Sequence, residues 1–216
     1  RVLYPVLDRL TAKYGRGGVK TIIQTTGDLV TEQIIDDLLE RDVWMISISG
    51  MDDFHVGLEG DKRKPLIEKL NRWFDAAGVK PSGWQSDNAK GDNVAWSDED
   101  GPLSHFFGAT PDEWVGKLWP RGRAWENSLS SAGIGDNFCA EWAGARNFLN
   151  HGYAGSEVSI DPNGDVFPCC MKTKKAIGNL TEERLIDILD SLAGHPVYEA
   201  LAAGRPDRMP GQAVED

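Results

Sequence analysis

The sequence has 216 residues, and its 40% of hydrophobic residues is ordinary for a globular protein with one or two buried cores. Its 34 acidic residues outnumber its 23 basic residues, and the net charge of −11 argues against general binding to nucleic acids or anionic membranes. No run approaches the roughly 18 apolar residues of a transmembrane helix, and three cysteines do not make a secreted disulfide framework, so we expect a cytoplasmic protein.

The first eighty residues alternate between helical and strand patterns. Apolar spacing predicts a helix over 2–14 that ends at Gly15, a buried strand over 19–24, a helix capped by Thr31, a buried strand over 43–49, and a third helix with Pro65 near its start and Gly78 at its end. This alternation predicts βαβ units and a parallel sheet. A parallel sheet of two strands would leave its faces and edges without partners, so we expect this sequence to be part of a longer protein.

The clearest local motif is a β-hairpin that leads to two adjacent cysteines. Alternating polar and apolar residues predict a strand that ends at Ile160, and the letters DPNG at 161–164 are typical of a tight turn. The return strand is expected to stop at Pro168, which cannot donate a ladder hydrogen bond, so Cys169 and Cys170 follow at one end of a small sheet. Thr181 is predicted to cap a helix that runs to about residue 192.

This set of features resembles the C-terminal SPASM extension of radical SAM enzymes. The matching features are IDPNGDVFPC at 160–169, the spacing Gly164-x4-Cys169, and IGNL at 177–180 followed by an amphipathic helix. In that family the cysteines after the hairpin ligate an auxiliary 4Fe–4S cluster, and the resemblance therefore implies that Cys169 and Cys170 are ligands. Cys139 takes the place of the family's preceding cysteine, although its gap to Gly164 is longer than usual.

The three cysteines leave other possibilities open. Thiolates suit an iron–sulfur cluster or zinc, and zinc could be held by Cys139, Cys169, Cys170 and a histidine such as His151. Isolated buried cysteines are also common and inert.

The resemblance extends upstream to two strand ends. In radical SAM barrels one strand ends in Thr-Asn-Gly and the next in Ser-Leu-Asp-Gly, and both ends help to hold the ribose and amino-acid parts of S-adenosylmethionine. Here the first motif is Thr25-Thr26-Gly27 and the second is Ser47-Ile48-Ser49-Gly50. The resemblance implies that cofactor binding involves Thr25, Thr26, Gly27, Ser47 and Ser49. Ordinary turn and cap chemistry is the alternative for these hydroxyl groups.

The family's CxxxCxxC motif, which binds the catalytic 4Fe–4S cluster, does not occur in these 216 residues, since no cysteine precedes Cys139. We expect that motif and a glycine-rich GGE motif upstream of residue 1. We therefore assign no catalytic residue here, and we expect these 216 residues by themselves not to cleave S-adenosylmethionine.

The predicted fold class is α/β: a fragment of a parallel (β/α) partial barrel, followed by a small α+β extension with a β-hairpin and C-terminal helices. The expected divisions are the later part of the barrel over 1–100, a connecting segment over 101–137 and a SPASM-like auxiliary cluster domain over 138–216. Arg121 and Arg123 in the connecting segment could hold a carboxylate or phosphate, or could lie in a solvated surface turn.

The resemblance implies that the intact protein is a radical SAM oxidoreductase with S-adenosylmethionine, a catalytic 4Fe–4S cluster and an auxiliary one. The expected substrate is a peptide or protein side chain, from which the 5′-deoxyadenosyl radical abstracts hydrogen, and the expected electron donor is a flavodoxin or ferredoxin. The alternative is a non-enzymatic iron–sulfur or zinc module that recognises a peptide partner by a sheet edge.

Overall fold

A computed structural model describes residues 2–83, 100–110, 122–130, 158–167, 175–202 and 208. The chain divides into two compact units, Arg1–Val115 and Gly116–Asp216. The expected division into functional domains at residues 100 and 137 stays a prediction.

The first unit is a parallel α/β unit. Its helices and strands are, in chain order, α1 (Leu3–Tyr14), β1 (Thr21–Thr25), α2 (Glu32–Glu40), β2 (Val43–Ile48), a 3₁₀ turn (Gly60–Arg63), α3 (Lys64–Ala76), β3 (Lys80–Pro81) and β4 (Leu103–Phe106). The strands form one parallel sheet in the order β1-β2-β4-β3. The predicted fold class is confirmed, and the sheet gains two strands that the sequence patterns did not predict.

The local signals at the ends of the helices lie where the sequence predicts. Thr31 caps α2, because its hydroxyl accepts a hydrogen bond from Ile34 N at 3.2 Å. Pro65 lies in the first turn of α3, and Gly78 follows that helix with φ +73°.

The main core lies between the helices and one face of the sheet. Ile46 and Ile48 of β2 are at most 1% exposed, and they pack with buried side chains of α2 and α3, namely Ile35, Leu38, Leu70 and Phe74. Burial of each such side chain contributes about 1.5–3 kcal/mol to folding. The core therefore holds the ends of β1 and β2 in a fixed register.

The predicted burial of β1 is wrong in part. Ile23 packs against the core, but Ile22, which points to the other face of the sheet, is 38% exposed. Among the described strands β1 is also an edge strand, with β2 as its one neighbour. The strand is therefore half-buried, whereas every residue of β2 is buried.

The described residues of the second unit form three short helices and a small antiparallel sheet. Its elements are α4 (Arg123–Glu126), β5 (Ser159–Ile160), β6 (Asp165–Phe167), β7 (Gly178–Asn179), α5 (Leu185–Asp190) and α6 (Pro196–Ala202), and the sheet order is β5-β6-β7. Arg123 begins α4 directly after Gly122, and Arg121 lies outside the described residues. No helix in the described part of the chain is long and apolar enough to cross a membrane.

The predicted start of the helix after the hairpin is wrong. Helix α5 begins at Leu185, and the hydroxyl of Thr181 instead donates to Asn179 Oδ1 at 2.6 Å. The carbonyl oxygen of Asn179 accepts from both Glu182 N and Glu183 N. Asn179 thus organises a separate turn, and the helix starts only after that turn is complete.

Candidate functional site

Strands β1, β2 and β4 end side by side at the carboxyl edge of the parallel sheet. Ser49 N donates to Thr25 O at 2.8 Å, and Phe107 N donates to Ile48 O at 2.9 Å. The segments Thr25 to Gly27 and Ser47 to Gly50 therefore adjoin at one edge, as expected for the proposed βαβ units. Ligands of open α/β sheets bind at this edge because the connecting loops leave the strands there.

The threonine hydroxyls at the end of β1 take part in the local turn. Thr25 Oγ1 accepts from Gly27 N at 3.2 Å, and Thr26 Oγ1 donates to Asp28 Oδ1. The hydrogen bond from Thr26 is the main reason why the pKa of Asp28 lies below its ordinary value. These hydrogen bonds are the ordinary turn contacts that we named as the alternative to cofactor binding. A ligand that bound these hydroxyls would have to share or replace the two hydrogen bonds.

Ser47 lies in a row of polar residues across three strands. It pairs in register with Gln24 of β1 and with His105 of β4. Ile46 and Ile48 pack toward the helices, so the alternation of side chains turns Ser47 to the opposite face of the sheet. Ser47 and His105 are 6% and 9% exposed, and burial lowers the pKa of His105. Sequence patterns missed His105 because they missed β4.

Both carboxylate oxygens of Asp52 have hydrogen-bond partners at this edge, and no sequence motif pointed to this residue. It is 3% exposed, Oδ1 accepts from Phe54 N at 2.9 Å, and Oδ2 accepts from Ala109 N at 2.8 Å. His55 Nδ1 lies 2.8 Å from Oδ1. Burial by itself would raise the pKa of Asp52, but the hydrogen bonds from His55, Ala109 and Phe54 outweigh it and hold the pKa below its ordinary value.

The ring of His55 lies directly on the backbone at Gly50. A Cβ atom at Gly50 would come within 2.8 Å of His55 Cδ2, and Gly50 has φ +82°. Only glycine satisfies both the backbone conformation and the close contact. The sequence signal that could have found this group is an aspartate and a histidine three residues apart, directly after a buried strand.

The hairpin of the second unit is built around two polar side chains. Asp161 Oδ1 accepts from Asn163 N at 2.8 Å and from Asp165 N at 3.2 Å, and Gly164 adopts φ +88° to complete the turn. Asn179 Nδ2 donates to Asp165 Oδ1 at 2.9 Å and joins β7 to β6. The predicted hairpin and its turn are therefore confirmed.

Cys169 and Cys170 belong to the connection between β6 and β7. The bond from Ile177 N to Val166 O, 2.8 Å long, joins the two sides of this connection. All three cysteines lie outside the described residues, so the expected approach of Cys139 to the other two stays a prediction. In the described part of the chain no three histidine, aspartate or glutamate side chains form a metal-binding group.

Residues 153–199 match the family model of SPASM, an iron–sulfur cluster-binding domain. The match includes the hairpin, Cys169 and Cys170, and Cys139 precedes it. Adjacent thiolates have the softness that iron–sulfur ligation requires, so the donor set fits such a cluster. The SPASM match thus supports an iron–sulfur cofactor. No curated protein matches the chain significantly, and neither does any solved structure.

Proposed function

We propose that this chain is part of a radical SAM/SPASM oxidoreductase that modifies a peptide or protein side chain. The observation that carries the proposal is the SPASM match over residues 153–199, which includes the cysteine pair at the end of a hairpin. SPASM domains are typical of radical SAM maturases, whose substrates are peptides and proteins.

The parallel unit supports the same proposal. Its strands β1 and β2 end together on Thr25–Gly27 and Ser47–Gly50, the two motifs that resemble the S-adenosylmethionine contacts of radical SAM barrels. The hydroxyls at the end of β1 are engaged in a turn, whereas Ser49 Oγ donates a long hydrogen bond of 3.4 Å to Thr25 O and can turn to a ligand.

Each part of the chain then has a distinct task. Cys169 and Cys170, with Cys139, hold the auxiliary 4Fe–4S cluster, while Thr25, Thr26, Gly27, Ser47 and Ser49 bind S-adenosylmethionine at the sheet edge. When bound together with a catalytic 4Fe–4S cluster, S-adenosylmethionine supplies the 5′-deoxyadenosyl radical that takes hydrogen from the substrate. A flavodoxin or ferredoxin of the cytoplasm donates the electron.

The test uses the whole protein that carries this sequence, reconstituted anaerobically with iron and sulfide. The wild type is expected to bind iron and sulfide beyond one cluster and to form 5′-deoxyadenosine from S-adenosylmethionine under reducing conditions. The double variant Cys169→Ala/Cys170→Ala is expected to lose roughly four irons and their sulfides. Thr173→Ala, a change in the same connection that removes no thiol, is the matched control.

Three results would contradict the proposal. If the wild type binds only about four irons and the double cysteine variant binds the same number, the protein has no auxiliary cluster at these cysteines. Normal cluster loading without any 5′-deoxyadenosine would favour the alternative, a non-enzymatic iron–sulfur module that recognises a peptide. Zinc without acid-labile sulfide would indicate a zinc module instead.

A further inference from the structure

Asp52 fixes the orientation and the tautomer of a single imidazole at the carboxyl edge of the sheet. The carboxylate is buried, and both of its oxygens already accept backbone hydrogen bonds, from Phe54 N and Ala109 N. An ionised carboxylate only accepts, so His55 Nδ1 must be the donor in the 2.8 Å contact to Oδ1. In the neutral imidazole the other nitrogen, Nε2, is then an acceptor.

The Nε2 acceptor belongs to a partly exposed ring. The side chain of His55 is 43% exposed, and in the described part of the chain no group makes a hydrogen bond to Nε2. The ring rests on Gly50, one residue after Ser49. A buried carboxylate that holds a half-exposed imidazole in one orientation is the arrangement that prepares histidines for ligand binding.

We propose that His55 Nε2 accepts a hydrogen bond from S-adenosylmethionine at the sheet edge, and that Asp52 is its positioning residue. The inference rests on the proposed function and adds a residue that neither the SPASM match nor the strand-end motifs include. S-adenosylmethionine offers suitable donors in its ribose hydroxyls and its amino group. His55 and Ser49 would then contact the same ligand from one loop, because the His55 ring rests on Gly50, the residue after Ser49.

The decisive variant is His55→Asn in the whole protein. The amide nitrogen of asparagine can take the place of Nδ1 and donate to Asp52, but asparagine has no counterpart of Nε2. The variant therefore keeps the hydrogen bond to Asp52 and removes Nε2 together with the ring contact at Gly50, and the thermal midpoint reports the effect of the latter. His195→Asn, at an exposed position of the second unit, is the matched control.

The measurements are the dissociation constant for S-adenosylmethionine by anaerobic equilibrium dialysis and the thermal midpoint of each variant. We expect His55→Asn to melt like the wild type and to bind S-adenosylmethionine roughly 3- to 10-fold more weakly, the effect of one lost hydrogen bond. His195→Asn is expected to change neither quantity.

The outcomes separate this inference from the proposed function. If the wild type binds S-adenosylmethionine and His55→Asn binds it equally well, the inference is wrong and the proposed function stands. If affinity falls only together with the thermal midpoint, His55 has a structural role and the inference is wrong. If the wild type fails to bind S-adenosylmethionine, both are wrong.

Discussion

Ala109 N donates a hydrogen bond to Asp52 Oδ2 at 2.8 Å, although 57 residues separate the two in sequence. The bond joins the loop after β2 to the loop after β4. The close approach of these loops also depends on Gly108, where a Cβ atom would come within 2.6 Å of the Met51 carbonyl carbon. The carboxyl edge is thus held together by contacts distant in sequence.

Asp52→Asn is expected to destabilise the first unit by about 1–3 kcal/mol. The asparagine side chain has one oxygen instead of two, so either Phe54 N or Ala109 N loses its acceptor and stays buried without a hydrogen bond. Urea unfolding of the protein checks this value. Asp53→Asn is the control, since Asp53 is exposed and bonds mainly to Arg63 and Gly60. Equal urea midpoints for the two variants would contradict the central role of Asp52.

Acid should weaken the wild type through Asp52. The native pKa of this carboxyl lies below its ordinary value of 3.8, so its contribution to stability is complete above that value. It is lost as the pH falls through the native pKa. We expect the difference in unfolding free energy between the wild type and Asp52→Asn to narrow over this acid range. A difference independent of pH would contradict the conclusion that the ionised carboxylate of Asp52 stabilises the fold.

His105 predicts a second pH dependence at a higher pH. Burial holds the pKa of His105 in the folded protein below 6.5. As the pH falls from about 6.5 toward this lower pKa, His105 becomes protonated in the unfolded chain but stays neutral in the folded protein, which favours unfolding. Stability is therefore expected to decline on going below pH 6.5, and His105→Gln should flatten this decline. His195→Gln provides the comparison, and an unchanged slope in His105→Gln would refute the prediction.

Gly164→Ala tests the hairpin turn. Gly164 has φ +88°, and a Cβ atom there would lie 3.0 Å from Asn179 Oδ1. The left-handed backbone costs a residue with a side chain about 1–2 kcal/mol, and the contact adds to this. Gly194→Ala is the control, because Gly194 has φ +79° with nothing within 4 Å of its Cβ position. Thermal unfolding should show the larger loss for Gly164→Ala, and equal losses would mean that the contact with Asn179 carries no cost.

Cys139 is expected to share a cluster with Cys169 or Cys170, which follow the end of β6 at Phe167 by two and three residues in the sequence. A ligated thiolate is not available as a nucleophile, so alkylation of Cys139 by iodoacetamide should be slower in the cluster-loaded protein than in the cluster-free protein. Mass spectrometry of the peptides measures both rates. Equal rates would leave Cys139 as an inert cysteine outside the cluster.

Several parts of this protein could be predicted from its sequence because the interactions that decide them span only a few residues. The hydroxyl of Thr31 reaches an N–H three residues away, and Gly164 closes a four-residue turn. The apolar run of β2 and the period of α3 likewise predict these elements without further information. The hairpin with its cysteine pair was enough to identify the resemblance that the SPASM match supports.

The tertiary structure alone decided how distant segments meet. Strand β4 is four residues long and lies between β2 and β3, and its place follows from pairing with residues far away in the chain. The same holds for Asp52, whose carboxylate is buried and oriented only once the end of β4 delivers Ala109 N. Such contacts form when chain closure brings segments together, and no short window of sequence contains both partners.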